Sequence, residues 1–191
     1  MKKIILLLSL LVMASSYAQQ NFWSSANNKT VTAENLTTRA TMPVDYNLYN
    51  LDTRALHNIL SETHQSKNAT VQLQFPLPDG TLETFNVKEH SIMEPGLQAK
   101  FPKLRAYKGV STSNSATVIH FNTSPRKGFS GMIMSPRFSS TYIDPYTTDG
   151  STYITYERNS LPQRDESFVC NFESATGFQA PDVSMNQTEN A

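Results

Sequence analysis

FPLPDGTLETFNV, from Phe75 to Val87, is the stretch that decides the fold class. Leading into it, polar Thr70, Gln72 and Gln74 alternate with apolar Val71, Leu73 and Phe75, the period-2 pattern of a strand with one face buried. Pro76 and Pro78 stop that run. Asp79-Gly80 is a pair that accepts positive φ at a hairpin turn, and Phe85 and Val87 resume the alternation on the far side. Two antiparallel strands joined by a tight turn are therefore expected here.

Working outward, Glu94-Pro95 opens a short helical turn, because proline suits a first helical position and Leu97 and Phe101 lie four apart; Pro102 ends it. Strands are expected near 70–75, 83–88, 117–122, 128–134, 140–143 and 151–157, each bounded by Gly, Pro, Asp or Asn. One longer helix is expected from Leu51 to Glu62, capped by Asp52, with Leu56, Ile59 and Leu60 as an apolar stripe that packs on a sheet. Short strands with turns between them argue against a parallel sheet, which needs a helix at each crossover. The expected fold class is mainly β, an α+β arrangement with one helix: an antiparallel β barrel or sandwich with a single N-terminal helix packed on it.

The ends of the chain read differently. Lys2 and Lys3, the apolar run Ile4 to Met13 and Ser16-Tyr17-Ala18 form the basic, apolar and small-residue regions of a secretory signal peptide over 1–18. Cleavage after Ala18 predicts a secreted, extracellular or periplasmic product beginning at Gln19. No later run approaches the roughly 20 apolar residues of a membrane-spanning helix. Residues 19–41 are rich in Asn, Thr and Ser and read as a flexible leader, 42–172 as the β-rich domain, and 173–191 as a disordered linker or tail. Lys plus Arg and Asp plus Glu both number 16, so loss of Lys2 and Lys3 leaves a small acidic excess and no basic patch suited to nucleic acid. The single cysteine excludes an internal disulfide, so the domain depends on its core.

The pieces PLPDG (Pro76 to Gly80), Met93-Glu94-Pro95 with Lys100-Phe101-Pro102, Tyr107 with Gly109, Gly128-Phe129 and the YIDPY run Tyr142 to Tyr146 together set a pattern. In that order they resemble the N-terminal prodomain of bacterial secreted zinc metallopeptidase precursors of the reprolysin-like type, from about Leu51 to about Cys170. The resemblance implies a folded, non-catalytic pro-region that helps a zinc metallopeptidase domain fold or holds it inactive, in cis or in trans. The zinc would belong to that partner, and no cofactor is expected in this chain. His57, His64, His90 and His120 supply no HExxH, since none is followed by glutamate with a second histidine four residues on. The chain alone is not expected to hydrolyse peptides, nor does it carry a GxSxG elbow, a P-loop or a GxGxxG turn. His57 and His64, seven apart, are too far along a helix to share one ion.

Cys170 has two readings. In related zinc proenzymes a cysteine at the end of the pro-region occupies the open coordination position of the catalytic zinc as thiolate, which would make Cys170 a zinc switch acting on the partner. Here Asn171 stands where well-known cysteine switches carry glycine. Alternatively Cys170 alternates in phase with Phe168 and Phe172 and packs beside them as a small hydrophobe. Tyr142, Tyr146, Tyr153 and Tyr156, with Asp144 and Asp149, likewise read either as the packing of a hairpin or as a platform for a sugar ring or calcium ion. The second reading would make the chain a free-standing exported module that binds a glycan or surface ligand.

Overall fold

The computed structural model describes residues 21–26, 35–64, 66 and 69–162. Nine strands form one antiparallel sheet: β1 (Trp23–Ser25), β2 (Asn47–Leu51), β3 (Val71–Pro76), β4 (Leu82–Glu89), β5 (Arg105–Ser111), β6 (Val118–Ser124), β7 (Gly128–Ser135), β8 (Phe138–Pro145) and β9 (Thr152–Glu157). Helix α1 (Thr53–Glu62) joins β2 to β3, and the six-residue α2 (Pro95–Lys100) lies between β4 and β5. From β3 to β9 the chain runs up and down between neighbours; β2 then pairs with β9 and β1 lies outside β2. The expected mainly β architecture with one helix of any length is what is observed, and of the two alternatives it is the barrel.

The two sheet edges, β1 and β3, curl toward each other. Trp23 on β1 and Phe75 on β3 bring their rings to 6.4 Å between centroids. Across the same seam, Asn47 on β2 donates from Nδ2 to the carbonyl of Pro78 at 2.6 Å. The interior is packed with side chains rather than hollow: Phe75, Phe85, Val87, Ile119, Ile133, Ile143 and Tyr153 are fully buried. Its centre is aromatic, with Tyr107 stacked on Phe121 at 4.9 Å and Trp23 meeting Phe129 and Tyr153 edge-on at 5.7 and 5.6 Å. Such contacts add about 0.5–1.5 kcal/mol each beyond the area they bury.

α1 closes one end of the barrel. Asp52 caps it by accepting from the Ala55 amide at 2.9 Å, and Leu56 and Leu60 point into the core, as the apolar stripe predicts. Thr63 ends the helix by donating from its amide and hydroxyl to the Leu60 carbonyl, at 3.1 and 2.7 Å. The β3–β4 turn forms where Asp79-Gly80 places it, with Gly80 at φ +87° and Leu77 N–H bonded to Thr81 O at 2.8 Å.

Three strands escape the sequence reading. β1 falls within 19–41, the stretch read as a leader, yet Trp23 is only 2% exposed, and an aromatic of that size adds more burial than its polar neighbours suggest. Leu36 bridges to Thr147, so a later part of the same stretch also runs along the sheet. β2 shares Leu51 with the expected helix, which begins two residues later at Thr53. β5 carries Gly109 at its middle, a residue that weakens a strand signal. The site requires it, because a Cβ there would lie 2.7 Å from Ile119 Cγ2 and 2.9 Å from Val87 Cγ2.

Trp23 is the chain's one tryptophan and ties the short edge strand to the core. Trp23→Ala is expected to cost about 3–5 kcal/mol, and Trp23→Phe clearly less, because phenylalanine keeps an aromatic ring and removes an indole N–H that has no hydrogen-bond partner. Urea titration followed by circular dichroism checks both. Equal losses in the two variants would contradict the packing described.

Candidate functional site

The connection from β4 to β5 is built inside out. Ile92, Leu97, Phe101 and Leu104 are 82%, 44%, 51% and 38% exposed, while polar Gln98 is half-buried. Gln98 ties the segment together: Nε2 donates to the carbonyls of Phe101 and Leu104 at 3.2 and 2.9 Å, and Oε1 accepts from Ser91 Oγ at 2.9 Å. Glu94 caps α2 by accepting from the Leu97 amide at 3.1 Å, with Pro95 at the first helical turn. At the base, Arg105 pairs with Glu89 at 2.5 Å and donates from Nε to the Pro102 carbonyl at 2.7 Å. Four apolar side chains are thus held out to solvent by a frame of hydrogen bonds, with exposed Lys100 and Lys103 beside them. Large apolar side chains held out to solvent on an ordered connection make it a candidate protein-binding surface.

Beside the base of this connection, His64 sits just beyond α1, with Nε2 3.1 Å from the Tyr107 hydroxyl and 3.7 Å from Glu89. Burial pushes the Tyr107 phenol up to about 12, and the Glu89 carboxylate adds to the rise. His57 lies apart from it, exposed on α1 at the rim of a cavity of about 780 Å³ that also includes Arg39, Arg126, Lys127 and Asp149. His90 and His120 meet on the outer face of β5–β6 with ring centroids 6.5 Å apart. Among the described residues no group of three His, Cys, Asp or Glu side chains is placed to hold a metal ion. Cys170 lies outside the described residues.

The tyrosine and carboxylate group does not form a single platform. Tyr153 faces the interior, fully buried, and its hydroxyl accepts from the Phe129 amide at 3.3 Å. Tyr146 and Tyr156 are buried in a second cluster on the outer face, with Leu48 and Ile154. Tyr142 is half-buried, 5.5 Å from Tyr156 between ring centroids. Asp144 accepts from Tyr156 Oη at 3.0 Å and Ser130 Oγ at 2.8 Å and lies 3.8 Å from Arg39, whose guanidinium sits over the Tyr156 ring at 5.8 Å. Burial, followed by the charge of Asp144, pushes the Tyr156 phenol up to about 12. Asp149 is occupied by its own turn, accepting from the Thr147 and Ser151 hydroxyls and the Ser151 amide, bonds that hold its carboxyl below the usual range. Strand alternation sends Tyr153 inward and Tyr142, Ile154 and Tyr156 outward, a division that the cluster of tyrosines along the sequence conceals.

The pieces that carry the family resemblance fall in distinct places. PLPDG makes the β3–β4 turn, Met93-Glu94-Pro95 and Lys100-Phe101-Pro102 bracket α2, Tyr107 and Gly109 face the core from β5, and YIDPY ends β8. Leu97 and Phe101 are read from the sequence only as the spacing of a helical turn; Gln98, bonded back to the Phe101 and Leu104 carbonyls, is less exposed than either. No family model, curated protein or solved structure matches the chain.

The raised phenols give a pH dependence with a definite sign. Tyr107 and Tyr156 hold their protons above the ordinary value of 10.0, so their contribution to stability is whole below pH 10 and is lost as pH rises toward 12. Ultraviolet titration should show Tyr107 and Tyr156 ionising late, with Tyr49, Tyr146 and Tyr153 also held up by burial, together with alkaline unfolding. Ionisation of all eight tyrosines in one step near the ordinary value, with the fold intact, would contradict this.

Proposed function

We propose that this chain is the non-catalytic pro-region of a zinc metallopeptidase precursor, an exported barrel that docks on the peptidase domain and assists its folding or holds it inactive. The observation that carries the reading is the outward-facing patch Ile92, Leu97, Phe101 and Leu104 on a connection fixed by its own hydrogen bonds. Exposing four large apolar side chains on an ordered frame is unfavourable in water, and a protein partner offsets it. The resemblance carried by Met93-Glu94-Pro95 and Lys100-Phe101-Pro102 names the class of partner, and those residues bracket the patch. Zinc enters as the partner's ion. The peptidase surface that receives the patch would be an apolar depression with acidic residues at its rim, complementary to Lys100 and Lys103.

The test has a genetic and a biochemical arm. An HExxH-encoding segment downstream, in frame or shifted, is expected; a downstream region without one removes the precursor reading. The peptidase domain expressed from that segment should bind the barrel through an interface of about 1,200–2,000 Å² in total. Leu97→Asp and Phe101→Asp should each weaken binding by about tenfold or more without lowering stability, since both side chains are exposed. Calorimetric titration against the peptidase domain measures it. Unchanged affinity in both variants would overturn the assignment of the surface.

A further inference from the structure

The end of the barrel opposite α1 is open, with a cavity of about 640 Å³ among β2, β9, the β3–β4 turn and the 3₁₀ turn Arg158–Ser160. Its charged lining is wholly acidic, beside the neutral polar groups of Tyr46, Asn47, Thr155, Asn159 and Ser160. Carboxylates come from Asp45, Asp79 and Glu157. Asn47 spends an amide hydrogen on the Pro78 carbonyl at 2.6 Å, which leaves its side-chain oxygen as an acceptor. Asp79 accepts from the Thr81 amide and hydroxyl at 2.9 and 2.6 Å, bonds that favour the ionised carboxylate.

Thr155 supplies the independent observation. It lies on the inward-facing side of β9, between Tyr153 and Glu157, in register with Asn47 on β2 and Ile143 on β8. It is fully buried, lines the cavity, and its Oγ1 has no hydrogen-bond partner. A buried hydroxyl left unpaired costs roughly 1–3 kcal/mol, so a strand that keeps threonine where valine fits forgoes stability unless something pairs with it. No lysine or arginine is among the residues that line the cavity, and the charge of Arg137 acts on Asp79.

We propose that this mouth binds a small organic cation, a primary ammonium or guanidinium group, with Glu157 and Asp79 supplying charge and the Thr155 hydroxyl and Asn47 side-chain oxygen accepting its N–H groups. The carboxylates are not gathered closely enough to make a metal shell, whereas a planar or tetrahedral nitrogen cation presents several donors to spread acceptors. The site lies at the opposite end of the barrel from α1 and does not depend on the partner proposed above.

The experiment uses the isolated chain, with methylguanidinium and ethylammonium as probes and tetramethylammonium, which has no N–H, as the control. In methyl and side-chain amide NMR spectra, the Thr155 methyl and Asn47 amide signals should shift saturably with either probe and not with the control. Glu157→Gln should weaken binding by about tenfold, the scale of one charge-assisted hydrogen bond. Thr155→Val should lower affinity several-fold while leaving thermal stability equal or higher, a combination that a merely structural threonine would not give. Equal shifts with tetramethylammonium, no saturation with either probe, or unchanged affinity in both variants would overturn the proposal.

Discussion

Trp23 must reach the barrel interior from a strand of three residues, and the closure of the sheet depends on its doing so. A nine-stranded antiparallel sheet has two edges, and each unpaired edge invites association with another chain. Here the edges belong to β1 and β3, and what joins them is side-chain packing: the indole lies against Phe75 on one side and against Phe129 and Tyr153 on the other. The Asn47 to Pro78 hydrogen bond holds the rim of the same seam. α1 spans the gap below, and its Leu56 and Leu60 fill the end that the seam leaves open. Without the indole the interior would lose the ring that touches both edges.

A filled barrel of this kind is a stiff support, and both candidate sites lie at its ends. At the α1 end the β4–β5 connection is pinned by Gln98, Glu94 and Arg105 and turns Ile92, Leu97, Phe101 and Leu104 to solvent. At the other end Asp45, Asp79 and Glu157 line an open mouth together with Thr155, whose hydroxyl is unpaired. The first is an apolar surface suited to a protein and the second a polar recess suited to a small cation. The packed aromatic interior separates them.

How much of this could be read in advance depends on how local the signal is. The β3–β4 hairpin was legible because period-2 alternation and Asp79-Gly80 act within a few residues, and α1 because its cap and stripe do too. β1 was not legible: WSS has no pattern of its own, and its place is set by contacts with residues 26 to 130 positions away. β5 was hidden by Gly109, whose role appears only once Ile119 and Val87 press against it from neighbouring strands. Of the candidate residues, the tyrosines were visible as a group, but their division into core and outer face follows from strand phase. Leu97 and Phe101 were visible as a spacing, and their exposure depends on Gln98 bonding back to Phe101 and Leu104.

The claim on which the functional account rests is that the rigid β4–β5 connection is a docking surface for a peptidase domain. Hydrogen–deuterium exchange of the barrel, alone and saturated with the proposed peptidase partner, tests it most directly. The account predicts that amides from 92 to 104 slow markedly in the complex while those of β7, β8 and β9 exchange as before. Protection confined to another surface, or a complex in which 92–104 exchange unchanged, would contradict it.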